Sequence, residues 1–160
     1  MSPAIETFHL TKSFGAVQAV SDLSFCVGEG EVLGMLGING AGKSVTARML
    51  AGLMVPSSGE FALLGVPDPW HKHPAMRSRV AWLSQTIDYP AGFTVSDVLS
   101  FCASLAPEWD AEFQSELLQV FALPLDRSAA VLSLGQKLSL ALVCALARSE
   151  ERRVGKECRS

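Results

Sequence analysis

The stretch Gly37-Ile38-Asn39-Gly40-Ala41-Gly42-Lys43-Ser44 decides how the chain around it folds. Its glycines let the backbone turn through conformations that a side chain would forbid. Successive backbone N–H groups of such a loop point inward and form a nest for an anion. Lys43 adds a compact positive charge, and Ser44 adds a hydroxyl that can ligate a divalent cation. The stretch therefore predicts a loop that holds phosphate groups.

The residues on either side favour the same prediction. The stretch fits the pattern G-x-x-x-x-G-K-[ST], the phosphate-binding loop of nucleoside triphosphatases, which lies between a strand and a helix. Residues 31–36 are mostly apolar and predict a buried strand. Residues 45–51 predict a helix, and Gly52 is a typical C-terminal stop. The positive end of the helix dipole then adds to the anion site. A glycine-rich turn that fits the pattern by chance would not be expected between a predicted strand and a predicted helix.

The composition is that of one soluble domain with a core. Hydrophobic residues make up 49% of the 160 residues, and the net charge is −3. A negative net charge disfavours a nucleic-acid-binding surface, so we expect no nucleic-acid partner. No apolar run reaches the ~20 residues of a membrane span, and no secretory signal opens the sequence. We expect a protein that is soluble or peripheral to a membrane.

Cysteines and histidines give no metal-site pattern. The chain has four cysteines without C-x-x-C spacing, which are Cys26, Cys102, Cys144 and Cys158. The first three lie in apolar runs, and we expect small buried hydrophobes in a reducing compartment. His71 and His73 have no cysteine or carboxylate cluster beside them, so we expect histidines of a surface loop.

Strands dominate the first half of the sequence. Alternation and short apolar runs predict strands over residues 5–11, 23–27, 31–36, 60–64 and 80–85. Residues 12–15 predict a turn that exposes Phe14, and Gln85 ends the last of these strands.

The second half is helical. Thr94 and Asp97 form a capping-box pattern before a helix predicted over residues 95–105. Asp110 is a candidate cap for a second helix that ends at Phe121. A third helix, over residues 137–147, is apolar nearly all round, which predicts burial on every side.

The order of these features resembles the ATP-binding subunit of ATP-binding cassette (ABC) transporters. Phe14 precedes the phosphate loop, Gln85 ends a strand after it, and Leu132-Ser133-Leu134-Gly135-Gln136 resembles the family's L-S-x-G-Q signature. The resemblance covers residues 1–147 and implies an α/β fold. This fold has an incomplete ABC-type P-loop core, a small antiparallel β part and an α-helical insert over about residues 94–132.

The resemblance also implies ATP and Mg²⁺ as ligands. Phe14 would stack on the adenine ring, although a core phenylalanine remains an alternative. The residues from Asn39 to Ser44 would wrap the phosphates, and the Ser44 hydroxyl would ligate Mg²⁺. Val45 stands where many relatives have a threonine, which leaves only its backbone N–H for the α-phosphate. Gln85 would reach Mg²⁺ or the attacking water.

By the same resemblance, the signature residues Ser133, Gly135 and Gln136 would act in trans. The helix N-terminus that they open would bind the γ-phosphate of ATP held by a second nucleotide-binding subunit. Simple helix capping is the alternative for Ser133 and Gln136, because S-x-x-Q is also a capping box. Leu134 replaces the first of the family's usual two glycines, and Lys137 replaces a frequent Arg or Gln.

The resemblance ends before the family's catalytic carboxylates. Relatives continue with an apolar strand ending in Asp-Glu, which supports Mg²⁺ and supplies the general base. The match stops at Ala147, so no catalytic residue is assigned, and we expect residues 31–36 to lack a parallel neighbour. Residues 148–160 instead resemble a translated sequencing adapter, in which AGATCGGAAGAGCGT reads Arg-Ser-Glu-Glu-Arg. We expect a non-native tail there.

The function implied is ATP hydrolysis that, in the intact protein, drives transport of an unknown substrate through a transmembrane permease subunit. Two nucleotide-binding subunits, as a homodimer or heterodimer, would lie in the cytoplasm against the inner face of the cell membrane. The stretch Ala106-Pro107-Glu108-Trp109-Asp110 resembles multidrug- or antibiotic-type exporters. The alternatives are a soluble ABC ATPase of translation or DNA repair, and a chain that binds nucleotide without turnover.

Overall fold

The computed structural model describes residues 3–148, and these divide into two compact units between Arg77 and Ser78. The first unit contains strands β1 (Pro3–Phe14) and β2 (Val17–Gly28), helix α1 (Lys43–Leu50), strands β3 (Ser58–Leu63) and β4 (Val66–Pro67), and the short helix α2 (Pro69–Lys72). A 3₁₀ helix, Pro74–Ser78, spans the boundary. The second unit contains helices α3 (Val95–Leu105), α4 (Ala111–Phe121) and α5 (Leu134–Leu146), with a 3₁₀ helix at Ala129–Val131.

The predicted antiparallel β part is a four-stranded sheet with the order β2-β1-β3-β4. In the central strand, Ile5 lies opposite Val27 of β2 on one side and opposite Leu63 of β3 on the other. Both β1 and β2 are longer than predicted. Pairing continues to Phe14 opposite Val17, so the turn is confined to Gly15 and Ala16 rather than spanning residues 12–15.

Helix α1 confirms the helix predicted after the loop. Met49 and Leu50 of its last turn are buried in the first unit. Gly52 ends it with a φ of 73°, and its backbone N–H donates to the Met49 carbonyl at 3.0 Å. A side chain at Gly52 would collide with the Trp70 ring, so glycine is needed there for space as well as for conformation.

The three helices of the second unit enclose their own core. Its buried residues are Val95, Val98, Leu99, Leu123, Ala129, Leu132, Leu140 and Val143. The structure confirms both predicted capping boxes, at Thr94 with Asp97 and at Ser133 with Gln136. The Asp110 side chain accepts from the Phe113 N–H at 2.9 Å, which confirms the predicted cap of α4.

Helix α5 is not buried on every side, so that prediction was wrong. Leu140 and Val143 are fully buried, whereas Leu138 and Leu146 are 37% and 39% exposed. The reason is that α5 packs on α3 and α4 through the side that carries Leu140 and Val143. None of the helices described, α5 included, is long and apolar enough to cross a membrane.

Two predicted strands are absent from the described residues. Residues 80–85 form no strand, and neither do residues 31–36, which lie outside the sheet. In the second segment Val32 is 98% exposed and Leu36 is 97% exposed. An apolar strand of a parallel sheet needs hydrogen-bonding neighbours and a covering layer on both faces, and the sheet described here supplies neither.

We expect this exposed segment to make residues 1–147 aggregate when expressed alone. Replacing Val32 and Leu36 by lysine should raise the soluble fraction, because charges interrupt edge-to-edge association of apolar strands. The same replacement at Val120, which is 74% exposed on α4, is the control and should change solubility little. A soluble chain with one sharp cooperative thermal transition in the absence of these changes would contradict the expectation.

Candidate functional site

The predicted phosphate loop is an exposed turn that runs directly into α1. Gly40 and Gly42 have φ values of 86° and 83°, in the left-handed region that favours glycine. The Ala41 N–H donates to the Ile38 carbonyl at 3.2 Å and closes the turn. The Thr46 N–H donates to the Gly42 carbonyl at 2.8 Å, so the helix begins immediately after the second of these glycines.

Gly42 is held against strand β2. A Cβ atom placed on Gly42 would lie 2.3 Å from the Ala19 carbonyl oxygen and 2.9 Å from a methyl of Val20. Both distances are far shorter than van der Waals contact, so no side chain fits. The loop is therefore fixed to the antiparallel sheet through backbone contact at its last glycine.

Lys43 folds back over the loop. Its Nζ donates to the Gly37 carbonyl at 2.7 Å and to the Ile38 carbonyl at 2.8 Å. These bonds place the ammonium group across the mouth of the loop rather than out in solvent. A phosphate held in the loop would thus meet a cation that is already positioned.

The first turn of α1 has unused donors. Gly42 is its N-cap and provides no side-chain cap, so the first backbone N–H groups lack an intrahelical acceptor. Ser44, half-buried in this turn, and Val45 after it contribute to the same end of the helix. Backbone donors, one lysine and one hydroxyl form the donor set that a phosphate–Mg²⁺ group requires, so the residues present fit ATP and Mg²⁺.

Phe14 lies at the end of β1 with half of its surface, 49%, exposed. The Lys12 Nζ is 5.3 Å from the centroid of its ring, at the distance of a cation–π contact. Lys12 also donates to the Val55 carbonyl at 2.7 Å, which holds it in place. The ring is not part of the core, so the alternative of a buried core phenylalanine is wrong.

Gln85 belongs to the second unit, whereas Phe14 and the phosphate loop belong to the first. It is an exposed residue in a bend and does not end a strand, which corrects the predicted placement. Its assignment to Mg²⁺ or the attacking water therefore stays a prediction.

The signature residues form the N-terminus of α5. The Gln136 N–H donates to Ser133 Oγ at 3.3 Å, and the Ser133 N–H donates to Gln136 Oε1 at 3.1 Å. Gly135 is exposed, and a Cβ atom there would meet nothing within 4 Å. Capping thus engages both polar side chains while the surface around them stays open, so the role in trans remains a prediction.

An ion pair that sequence reasoning missed joins this helix to the segment after Gln85. Lys137 Nζ lies 3.1 Å from Asp88 Oδ1, and the Lys137 side chain is only 15% exposed. The neighbouring Tyr89 hydroxyl donates to the Lys137 carbonyl at 3.3 Å, and burial raises the pKa of this tyrosine. The sequence feature that could have indicated this ion pair is Lys137 itself, because a lysine there departs from the family's pattern. Its partner, Asp88, lies 49 positions away in the sequence.

The family model for ABC transporters (ABC_tran) matches residues 20–152, most of the chain. The chain belongs to the ABC transporter family. Over 147 residues it is 37% identical to the "Probable multidrug ABC transporter ATP-binding protein YbhF" of Escherichia coli (strain K12). This alignment covers 89% of this chain and 25% of that protein. It is 42% identical over 96 residues to the "Nod factor export ATP-binding protein I" of Rhizobium meliloti (strain 1021), covering 60% of this chain and 28% of the relative. This ABC chain thus spans about a quarter of the length of these curated relatives.

Solved structures agree with the α/β, P-loop assignment. A structure of the ATP-binding subunit of an ABC transporter superposes with a TM-score of 0.80 at 27% identity, over 91% of this chain and 62% of that one. The dimeric bacterial ABC transporter cassette MJ0796 superposes with a TM-score of 0.75 at 20% identity, over 90% of this chain and 69% of that one. The second likeness shows the fold alone. The fold is that of an ABC ATPase cassette.

Replacing Phe14 by alanine should weaken ATP binding by about 1–3 kcal/mol, because stacking of a base on an aromatic ring contributes on that scale. The measurement is calorimetric titration of the whole protein with MgATP. Phe8 is the matched control, since it lies on the same strand and is 52% exposed against 49% for Phe14. Equal affinities of the two alanine variants would exclude Phe14 as the adenine platform.

Proposed function

We propose that the whole protein hydrolyses ATP to drive transport through a membrane permease subunit. The observation that carries this proposal is the loop geometry, in which Lys43 lies across the loop and the first turn of α1 has uncapped donors. Membership of the ABC transporter family supports it. The partners, the direction of transport and the substrate are properties of the whole protein. This chain covers only 25% of the length of the Escherichia coli relative.

In this proposal the chain's residues bind and orient the nucleotide. Lys43 neutralises charge on the β- and γ-phosphates, and the backbone donors of the first turn of α1 hold their oxygens. The Ser44 hydroxyl would hold the Mg²⁺ ion, and the role of Gln85 toward that ion stays a prediction. When bound, this ion neutralises the charge that develops on the transferred phosphoryl group. No general base is assigned among the described residues of this chain.

A second nucleotide-binding subunit completes the site in the proposal. The exposed N-terminus of α5, with Ser133, Gly135 and Gln136, faces the ATP held by the other copy. The exposed Leu134, 64% accessible, is an apolar group on the same surface and suits burial in such a contact.

Export is the direction that we infer. The names of the relatives describe multidrug transport for YbhF and export of Nod factor for the rhizobial protein. The stretch around Trp109 resembles exporters of the multidrug or antibiotic type, and Trp109 Nε1 donates to Gln114 Oε1 at 2.8 Å. This hydrogen bond fixes the Trp109 indole against the first turns of α4.

The rival functions differ in their partner. A soluble ABC ATPase of translation or DNA repair would hydrolyse ATP without a membrane subunit. An open reading frame for a multi-span membrane protein beside the gene would favour the transporter. Stimulation of hydrolysis by that membrane protein separates the two classes.

Replacing Lys43 by alanine in the whole protein should abolish ATP hydrolysis in the presence of its membrane partner, because the phosphates lose their positioned cation. Phosphate release is the measurement. Lys72→Ala is the matched control, since Lys72 is 66% exposed and its nearest carboxylate, on Asp68, lies at 3.9 Å. The transporter proposal fails if hydrolysis in the reconstituted complex does not depend on Lys43.

A further inference from the structure

Two cysteines of the second unit lie on facing helices. Cys102 is on α3, one turn after the buried Val98 and Leu99, and Cys144 is on α5, one turn after the buried Leu140. Both thiols are half-buried and pack against the same hydrophobic core. The helices α3 and α5, which carry the two residues, pack on each other.

The two thiol groups lie close enough to shift each other's pKa. The Cys144 thiol lowers the pKa of Cys102 to about 7, although burial opposes the shift. The Cys102 thiol and burial together raise the pKa of Cys144. The Arg148 guanidinium lowers the pKa of both thiols. Burial raises the pKa of the Tyr89 phenol most, and the two cysteines in turn help to raise it. Cys102 is therefore the nucleophilic thiol, and Cys144 is its protonated neighbour.

We propose that Cys102 and Cys144 form a redox modification site, at which a peroxide converts the two neighbouring thiols into a disulfide between α3 and α5. The expectation that these cysteines are merely small buried hydrophobes does not account for their proximity. Neither thiol belongs to the candidate ATP site, so the inference does not depend on the proposed function.

The chemistry balances with hydrogen peroxide as the oxidant. The Cys102 thiolate attacks one peroxide oxygen, the O–O bond breaks, and hydroxide leaves and takes up a proton as water. Cys102 is then a sulfenic acid. The Cys144 sulfur attacks the Cys102 sulfur, the S–S bond forms, the S–O bond breaks, and a second water leaves with the Cys144 proton. Two thiols lose two electrons in total, and one peroxide gains them.

The disulfide would link α5, the helix that begins at the signature, to the neighbouring helix α3. Ser133 caps α5, and Cys144 lies near the other end of the same helix. A covalent link at Cys144 therefore restrains any movement of α5 against α3. Reduction by a dithiol reverses the step.

The test is peptide mapping of the whole protein after treatment with increasing hydrogen peroxide. Free thiols are blocked with N-ethylmaleimide before digestion with trypsin. The three cysteines among the described residues then fall in separate peptides, because Cys102 lies in residues 80–127, Cys144 in the peptide that begins at Leu138, and Cys26 in residues 13–43. The result expected is a linked pair of the first two peptides, lighter than their sum by two hydrogen atoms, which dithiothreitol separates.

Cys26 is the internal control, because it is exposed and lies in the other unit. The Cys26→Ser variant should form the same linked pair. In the Cys144→Ser variant, Cys102 should accumulate as a sulfenic acid that dimedone traps, while the linked pair disappears. Oxidation of Cys26 at peroxide concentrations that leave Cys102 and Cys144 unlinked in the wild-type protein would overturn the proposal, whatever the variants do.

Discussion

The close approach of Gly42 to strand β2 fixes the phosphate loop in the first unit. At this position the backbone has a φ of 83°, and an added Cβ atom would lie 2.3 Å from the Ala19 carbonyl oxygen. Because Gly42 is also the N-cap of α1, one residue sets both the position of the loop and the start of the helix. This placement leaves the first turn of α1 open beside the loop. It also brings the Lys43 side chain back over the loop.

Local patterns in the sequence were enough to predict helices α1, α3 and α4, most of α5, and strands β1, β2 and β3, whereas α2 and β4 were not predicted. The capping boxes at Thr94 and Ser133 are confirmed because their hydrogen bonds join residues only three positions apart. The strand predicted over residues 31–36 failed for the opposite reason, since its stability depends on neighbouring strands and not on its own residues. The same holds for the strand predicted to end at Gln85.

Contacts between residues that lie far apart in the sequence could not be predicted from the sequence alone. Asp88 and Lys137, and likewise Cys102 and Cys144, become neighbours only when the helices of the second unit pack together. The cysteines were predicted as buried hydrophobes from their apolar surroundings, yet Cys26 is exposed and the other two are half-buried. The predicted non-native tail lies outside the described residues, apart from Arg148. Membership of the ABC transporter family, in contrast, could be inferred from short motifs in a fixed order.

The affinity of the Gly42→Ala variant of the whole protein for MgATP tests the central claim most directly. We expect affinity to fall by at least about tenfold, which corresponds to ~1.4 kcal/mol, because the methyl group displaces the loop from β2. Gly15→Ala is the control, since Gly15 also has a positive φ, 58°, but no neighbour within 4 Å of an added Cβ atom. Its affinity should stay near that of the wild type. Unchanged affinity in a folded Gly42→Ala protein would contradict the account.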